Sequence, residues 1–427
     1  MKSIAGYIAT HDSLEKKKVV WDKDSIVAVE EAEGKADYLF SDDCVIFPGF
    51  CDKHTHPREF PLPKVITGRD FDLLMKHKKK EDFKSLSEAA IVGGVTRLGC
   101  ILNTPRPAVN QEIYGQYLQI SRKSLIPVVL YGMIGKDTKP FRNDIPYKFM
   151  WSSVGADTID SDIEVPPILQ SYKIVGIKEP ISVSKHCESI DELALLKDRP
   201  THEQRRGFPV QDIAIQMALE MQQWFGYELQ IMHVSTASCV QLIAKTKKAR
   251  PKAPIHAEAC PHHLFLDESA RHDPRLKYGN NFFMNPCLQK LHDREMLITE
   301  IGKTIEYVSS DHAGHTLEDK EKGAAGITGV HVMGPAAAEL HIKHKVPLET
   351  IAKVFAYNPG QFLGKYLNEK IGDIKPGYKA NFTVLNLKKP IKMSDEFYTP
   401  KCGWNPWAGY EFAGSVEATF VNGEKLL

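Results

Sequence analysis

Short runs in which apolar and polar residues alternate open the chain. They are Ile4-Ala5-Gly6-Tyr7-Ile8, Lys18-Val19-Val20-Trp21 and Ser25-Ile26-Val27-Ala28-Val29, parted by polar turns. They read as strands, too few for an independent domain. Similar runs close the chain, over 380–385 and 418–421 ahead of Asn422-Gly423. One small β domain built from both termini is therefore expected, with a larger body inserted between. In that body the rhythm changes, and apolar stretches of strand length alternate with helical ones. The strands are expected around 50–54, 95–102, 126–133, 147–151, 180–183, 229–233, 255–260 and 307–310. Residues 83–91 predict a helix stopped by Gly93-Gly94. Residues 210–225 predict another, stopped by Gly226, with Ile213, Met217, Met221 and Trp224 at helical spacing as its core face. Eight such units imply parallel strands, crossover helices and a (β/α)8 TIM-like barrel. The expected layout is a barrel over 48–369 and a small β-sandwich domain made of 1–47 and 370–427.

Composition adds exclusions. The 427 residues are 42% hydrophobic and 26% charged, as in a globular protein, with a net charge of +1. That balance makes no electrostatic case for nucleic acid or an anionic membrane as partner. No apolar run approaches membrane-spanning length, and Met1 to Tyr7 lacks a signal-peptide core. The eight cysteines have no framework spacing and read as reduced thiols, so a cytoplasmic location is expected.

The 17 histidines carry more information, because many fall where strands stop. In a strand, residues two apart face one side, so His54 and His56 would point to one place at a strand's C-terminal end. Two imidazoles there suit Zn²⁺ or another borderline metal. Alone the pair could be two surface histidines. It is accompanied by Asn103, Lys148, His186, His233 and Asp311 at other strand ends, which a purely structural barrel does not need.

These residues belong to ordered motifs: Asp52-Lys53-His54-Thr55-His56-Pro57-Arg58-Glu59, Asn103-Thr104-Pro105, His186-Cys187-Glu188, His233-Val234-Ser235-Thr236, Pro261-His262-His263, Met284-Asn285-Pro286, Ser310-Asp311-His312-Ala313-Gly314-His315 and Lys401-Cys402-Gly403-Trp404-Asn405-Pro406. The set resembles the amidohydrolase superfamily and, within it, the dihydroorotases, over nearly the whole chain. The resemblance implies a zinc-dependent cyclic amidohydrolase interconverting N-carbamoyl-L-aspartate and L-dihydroorotate in pyrimidine synthesis. It implies two zinc ions, one on His54, His56 and Asp311, the other on His186 and His233, bridged by a carboxylated lysine. Lys148 and Lys178 compete for that bridge. Lys178 lies only eight residues before His186, too close for a crossover helix, whereas Lys148 leaves room for one unit. By the same resemblance a metal-activated water attacks the ring carbonyl, with Asp311 as general base and then acid. Arg58, Asn103 and His315 would hold the substrate carboxylate, and Asn285 would contact the pyrimidine ring.

Some positions depart from the family's usual pattern. Gly314 stands where Asp-His-Ala-Pro-His has proline, which is expected to loosen the loop bearing His315. Phe60-Pro61 follows Arg58-Glu59 in place of Pro-Gly, and Cys287-Leu288-Gln289 replaces Pro-Leu-Arg. The stretch 323–329, Gly-Ala-Ala-Gly-Ile-Thr-Gly, reads as a flexible loop over the site. The alternatives are an allantoinase or a hydantoinase/dihydropyrimidinase-like enzyme, which resembles this set in metal chemistry but generally lacks the arginine, and a non-catalytic scaffold of the same fold. A small-molecule substrate and a homo-oligomer are expected.

Overall fold

The computed structural model describes residues 1–63, 66–136, 138–149, 162–174, 183–185, 197–199, 201–206 and 208–427. In chain order the strands begin with β1 (Lys2–Ala9), β2 (Leu14–Asp22), β3 (Ser25–Glu31), β4 (Tyr38–Leu39), β5 (Cys44–Pro48) and β6 (Phe50–Thr55). They continue with β7 (Val95–Cys100), β8 (Val128–Leu130), β9 (Gly132–Ile134), β10 (Tyr147–Phe149), β11 (Val183–Lys185), β12 (Leu229–Ile231), β13 (Ile255–Ala259) and β14 (Tyr307–Val308). Near the C-terminus come β15 (Phe382–Asn386), β16 (Ile391–Lys392), β17 (Glu411–Phe412), β18 (Ser415–Val421) and β19 (Glu424–Lys425).

Strands from the two ends of the chain form one sheet in the order β19-β18-β15-β5-β1-β2-β3, with β4 on β1. Its inner side carries Ile4, Ile8, Val19, Trp21, Phe382 and Phe420, which pack as a cluster of their own. Hydrogen bonding joins these strands into a single sheet, with β5 antiparallel to β15 from Pro48 against Phe382 to Cys44 against Asn386.

The inserted body is parallel. Strands β6, β7 and β8 make one sheet and β9 to β14 another, in sequence order. Only Tyr131 separates β8 from β9, and its N–H donates to Cys100 O at 3.0 Å. At the far side Thr55 pairs in parallel with His312, and His56 N–H donates to His312 O at 2.9 Å. Every residue of β6 is buried, as expected of a parallel strand covered on both faces. Crossover helices cap themselves with local side chains: Asp82 and Ser85 box the start of Phe83–Val92, and Thr236 caps Ala237–Ala249.

One expectation about the core holds only in part: Met221 is buried and Met217 packs half-buried against the core. In the helix Phe208–Phe225, Ile213 and Trp224 are exposed, at 38% and 62%, whereas Val210, Ala214, Ile215, Ala218 and Leu219 are buried. The inward stripe is centred about one position, about 100°, around the helix from Ile213. Two alanines on that stripe allow close approach to the strands, which outweighs the area a tryptophan would bury there.

Candidate metal centre

The site gathers where the parallel strands end, the position at which such sheets present side chains to solvent and ligand. His54 is in β6 and His56 two residues on. As the alternation predicts, their rings converge, with Nε2 of one 3.2 Å from Nε2 of the other. Asp311, beyond β14, reaches the same point: its Oδ1 is 3.1 Å from His54 Nε2 and 2.9 Å from His56 Nε2. Asp311 and His233 both hold positive φ, 47° and 38°, a conformation that costs free energy outside glycine and concentrates at functional sites.

The other ring nitrogens decide the protonation. His54 Nδ1 is 2.6 Å from Glu258 Oε1, and His56 Nδ1 is 2.7 Å from Asn103 Oδ1. Arg58 Nη1 donates to that same Asn103 atom at 3.2 Å, which identifies it as oxygen. Both acceptors therefore hold the proton on Nδ1 and leave Nε2 as a lone pair. Three lone-pair donors, His54 Nε2, His56 Nε2 and Asp311 Oδ1, thus face one another within 3.2 Å. Donors about 2.0–2.1 Å from a shared tetrahedral Zn²⁺ stand about 3.3 Å apart. The donor set fits such an ion in chemistry, tautomer and spacing.

Electrostatics follow from burial and this crowding. Burial opposes ionisation of Asp311, yet the adjacent His54 and His56 hold its carboxyl well below the usual range. Burial, reinforced by the Arg58 and His54 charges against the pull of Asp311, pushes His56 down to about 4. His54, although burial works against its charge, is raised by Asp311 and Glu258.

Lys148, on β10, is buried and lines the same pocket as His54, His56, Arg58, Asn103, His233, Asn285 and Asp311. Its Nζ lies 3.0 Å from Met232 Sδ. The His233 ring stands 5.4 Å from that of His54. His186 and the competing Lys178 lie outside the described residues.

Arg58 is buried, which lowers it to about 10. Its Nη2 lies 3.2 Å from His315 Nε2, and among the described residues its buried Nε has no hydrogen-bond partner. Buried Asn285 Oδ1 is likewise unpartnered among them. Buried polar atoms of this kind are rare and call for a ligand or water. His315 is driven well below its ordinary value by burial, with Arg58, Lys80 and Lys320 adding to it.

Sequence reasoning passed over the residues that hold these groups in place. Glu258, in β13, bonds His54 and also pairs with Lys53 Nζ at 2.6 Å, all three nearly inaccessible. Asp52 accepts from His54 N–H at 3.0 Å and Ser310 N–H at 3.2 Å, tying together the strand ends that carry His54 and Asp311. An acidic residue two positions past His256 in a short strand, flanked by Ala257 and Ala259, was the available signal. Gly314 also differs from expectation. A Cβ there would come 2.7 Å from Glu81 Cγ, so the glycine permits a close approach to Glu81. Trp404 Nε1 donates to His315 O at 2.7 Å, holding that loop from the other side.

No protein-family profile matches the chain. Among curated proteins it is similar to the dihydroorotase of Thermococcus kodakarensis, 30% identical over 389 residues, covering 89% of this chain and 82% of that protein. It is 27% identical over 430 residues to the dihydroorotase of Pyrococcus furiosus, covering 100% of this chain and 90% of that one. Among solved structures it superposes on an L-hydantoinase (dihydropyrimidinase) from Arthrobacter aurescens with TM-score 0.85 at 20% identity, covering all of this chain and 96% of that one. For a dihydropyrimidinase from Brevibacillus agri NCHU1002 the values are 0.84, 19%, 100% and 95%. At those identities the structural likeness shows the α/β fold alone.

Proposed function

The chain belongs to the dihydroorotase family, and from that premise we propose that it is a metal-dependent cyclic amidohydrolase interconverting N-carbamoyl-L-aspartate and L-dihydroorotate. The observation that carries the choice of substrate is Arg58. Its guanidinium is buried in the same pocket as the imidazole–carboxylate cluster, and a buried guanidinium calls for a planar anion such as a carboxylate.

His54, His56 and Asp311 would hold one zinc ion, and Lys148 as a carbamate, His186 and His233 would complete a second site. Zinc bound there supplies Lewis acidity and lowers the pKa of water. The protein's own groups do the rest. Glu258 and Asn103 fix both imidazoles with Nε2 forward. Asp311 turns Oδ1 to the same point as the two Nε2 lone pairs. Its Oδ2 has no hydrogen bond among the described residues, and serves to take a proton from water and return it to the leaving ring nitrogen. Arg58 and His315 grip the substrate carboxylate, Asn103 positions both His56 and Arg58, and Asn285 contacts the ring.

Three further points belong to the proposal. Counting β8 and β9, parted only by Tyr131, as one, the eight parallel staves close as a (β/α)8 barrel over 48–369, a reading supported by the Thr55–His312 pairing, with 1–47 and 370–427 as a composite β domain. No helix among the described residues is long and apolar enough to cross a membrane. The seven described cysteines are free and buried, which supports a reducing, cytoplasmic setting, and a homo-oligomer acting on a small-molecule substrate is the expected form.

Ring closure removes one carboxylate charge and consumes a proton. Purified protein supplied with zinc and bicarbonate should therefore close carbamoyl-aspartate at mildly acidic pH and open dihydroorotate at alkaline pH. Turnover of hydantoin or allantoin without turnover of dihydroorotate would overturn the substrate assignment.

A further inference from the structure

The glycine-rich stretch 323–329 does not hang free over the pocket. Ala313 N–H donates to Ile327 O at 2.8 Å, and Gly326 N–H donates to Phe283 O at 2.9 Å. Gly326 has φ +123°, and a Cβ there would meet Ala313 Cβ at 2.7 Å and Ala313 O at 3.0 Å. This stretch is thus wedged between the Asp311–His315 segment and Phe283. It contributes Ala325 and Gly326 to the pocket wall, while Asn285, two residues past Phe283, contributes another part of that wall.

Lys320 joins the two. It lies in the helix Leu317–Glu321, whose start is boxed by Thr316 and Asp319. Its side chain is buried, with Nζ donating to Phe283 O at 2.5 Å and to Gly326 O at 2.9 Å. The same Nζ stands 5.8 Å from the centre of the Phe283 ring, within cation–π range. On the following residue His202 Nε2 holds Met284 O at 3.1 Å. Among the described residues no carboxylate pairs with Lys320. Burial, with the nearby Arg271 and Arg58 charges, lowers its ammonium to about 7. A buried ammonium without a counter-ion is costly unless its donors are used. Here they are used on two loop carbonyls whose residues are otherwise joined by the single Gly326 N–H to Phe283 O bond.

We propose that Lys320 is a positioning residue for substrate binding. By adding two side-chain bonds to the single backbone bond between residues 326 and 283, it fixes the distance across the pocket between Asn285 on one side and Ala325-Gly326 on the other. This rests on the reading of the pocket as the substrate site. The lysine touches neither the metal ligands nor Arg58 among the contacts described, so it acts on how substrate is held rather than on bond breaking.

The test compares wild type with Lys320→Met, which keeps the length and loses the donors, and with Lys320→Arg, which restores them. Amide hydrogen exchange on the ligand-free proteins should be about tenfold faster in Lys320→Met over 283–286 and 323–329, and unchanged over 50–58. With dihydroorotate, KM should rise about tenfold while kcat stays within about twofold, and Lys320→Arg should recover most of the KM. Zinc content should be the same in all three. If Lys320→Met does not accumulate as folded protein, Lys320→Gln is read in the same way. Unchanged exchange in both loops, or kcat falling as far as KM rises, overturns the proposal. Wild type that exchanges as expected but does not turn over dihydroorotate overturns the substrate assignment and leaves the tie standing.

Discussion

Glu258 offers the sharpest test of how the metal centre is built. Its carboxylate accepts from His54 Nδ1 and faces Lys53 Nζ, each at 2.6 Å, and all three groups are nearly inaccessible. Lys53 Nζ also sits 4.7 Å from the centre of the Tyr307 ring. Burial favours protonated Glu258, but the Lys53 charge and the hydrogen bond from His54 Nδ1–H overcome it and bring the carboxyl down to about 2 from 4.5. That depression corresponds to about 3 kcal/mol of stability, present above pH 4.5 and lost as pH falls through about 2. Glu258→Gln keeps the shape, removes the anion and leaves Lys53 a buried cation. Breaking a buried pair from one side costs about 3–5 kcal/mol, in line with the linkage figure. Weakening the support behind a metal-binding histidine costs a further factor of about 10–100 in metal affinity.

Two assays separate these effects. Thermal melts followed by circular dichroism should show Glu258→Gln several degrees below wild type. Chelator competition should show zinc held about 10–100-fold more weakly. Lys53→Met with Glu258→Gln removes both charges, and its melt should return close to wild type, because an ion pair replaced by neutral groups is often nearly neutral in stability. Its zinc affinity should stay low, since His54 still lacks an anionic partner. Wild-type zinc affinity in Glu258→Gln would refute the orienting role. A double variant as unstable as the single one would refute the charge argument.

Arg58→Ala should lower kcat/KM for dihydroorotate by about 2–5 kcal/mol of transition-state binding, roughly 30- to several-thousand-fold, and leave any turnover of uncharged hydantoin within a few-fold. Equal losses on both substrates would argue against a carboxylate clamp. Glu81 is pushed up by burial to about 7 from 4.5, although Ser85 and the Cys402 amide work the other way. It therefore subtracts stability as pH rises from 4.5 to about 7, up to about 3 kcal/mol. Denaturant melts at pH 5 and pH 8 should show a smaller loss in Glu81→Gln than in wild type, the remainder belonging to Asp52, which burial also raises to about 7, and equal slopes would remove the assignment. Gly314→Ala should cost about 1–3 kcal/mol by overpacking against Glu81, and Glu81→Ala in the same chain should relieve it. An additive pair would show that Gly314 answers to something else.

Much of the molecule was open to reading along the chain, for local reasons. Strand alternation alone places His54 and His56 on one side, and their Nε2 atoms meet at 3.2 Å. The change from short strands at the ends to a strand–helix rhythm between them foretells a sheet shared by the termini and a parallel body. The order of the motifs carries the family, and the arginine beside the paired histidines is what the substrate proposal rests on. These features depend on residue type and spacing, which a linear pattern records.

What tertiary structure alone decided is who holds whom. Glu258 reaches His54 across 204 residues, Trp404 secures the carbonyl of His315 across 89, and Lys320 spans 37 to Phe283. Helical spacing marked Ile213 and Trp224 for the core, and packing against the strands turned them outward in favour of Ala214 and Ala218. Gly314 looked like freedom for a loop until Glu81 was found where its side chain would be. Periodicity specifies which face of an element is apolar to within a turn. It does not specify which neighbour arrives, and buried charges acquire their meaning from the partner they meet.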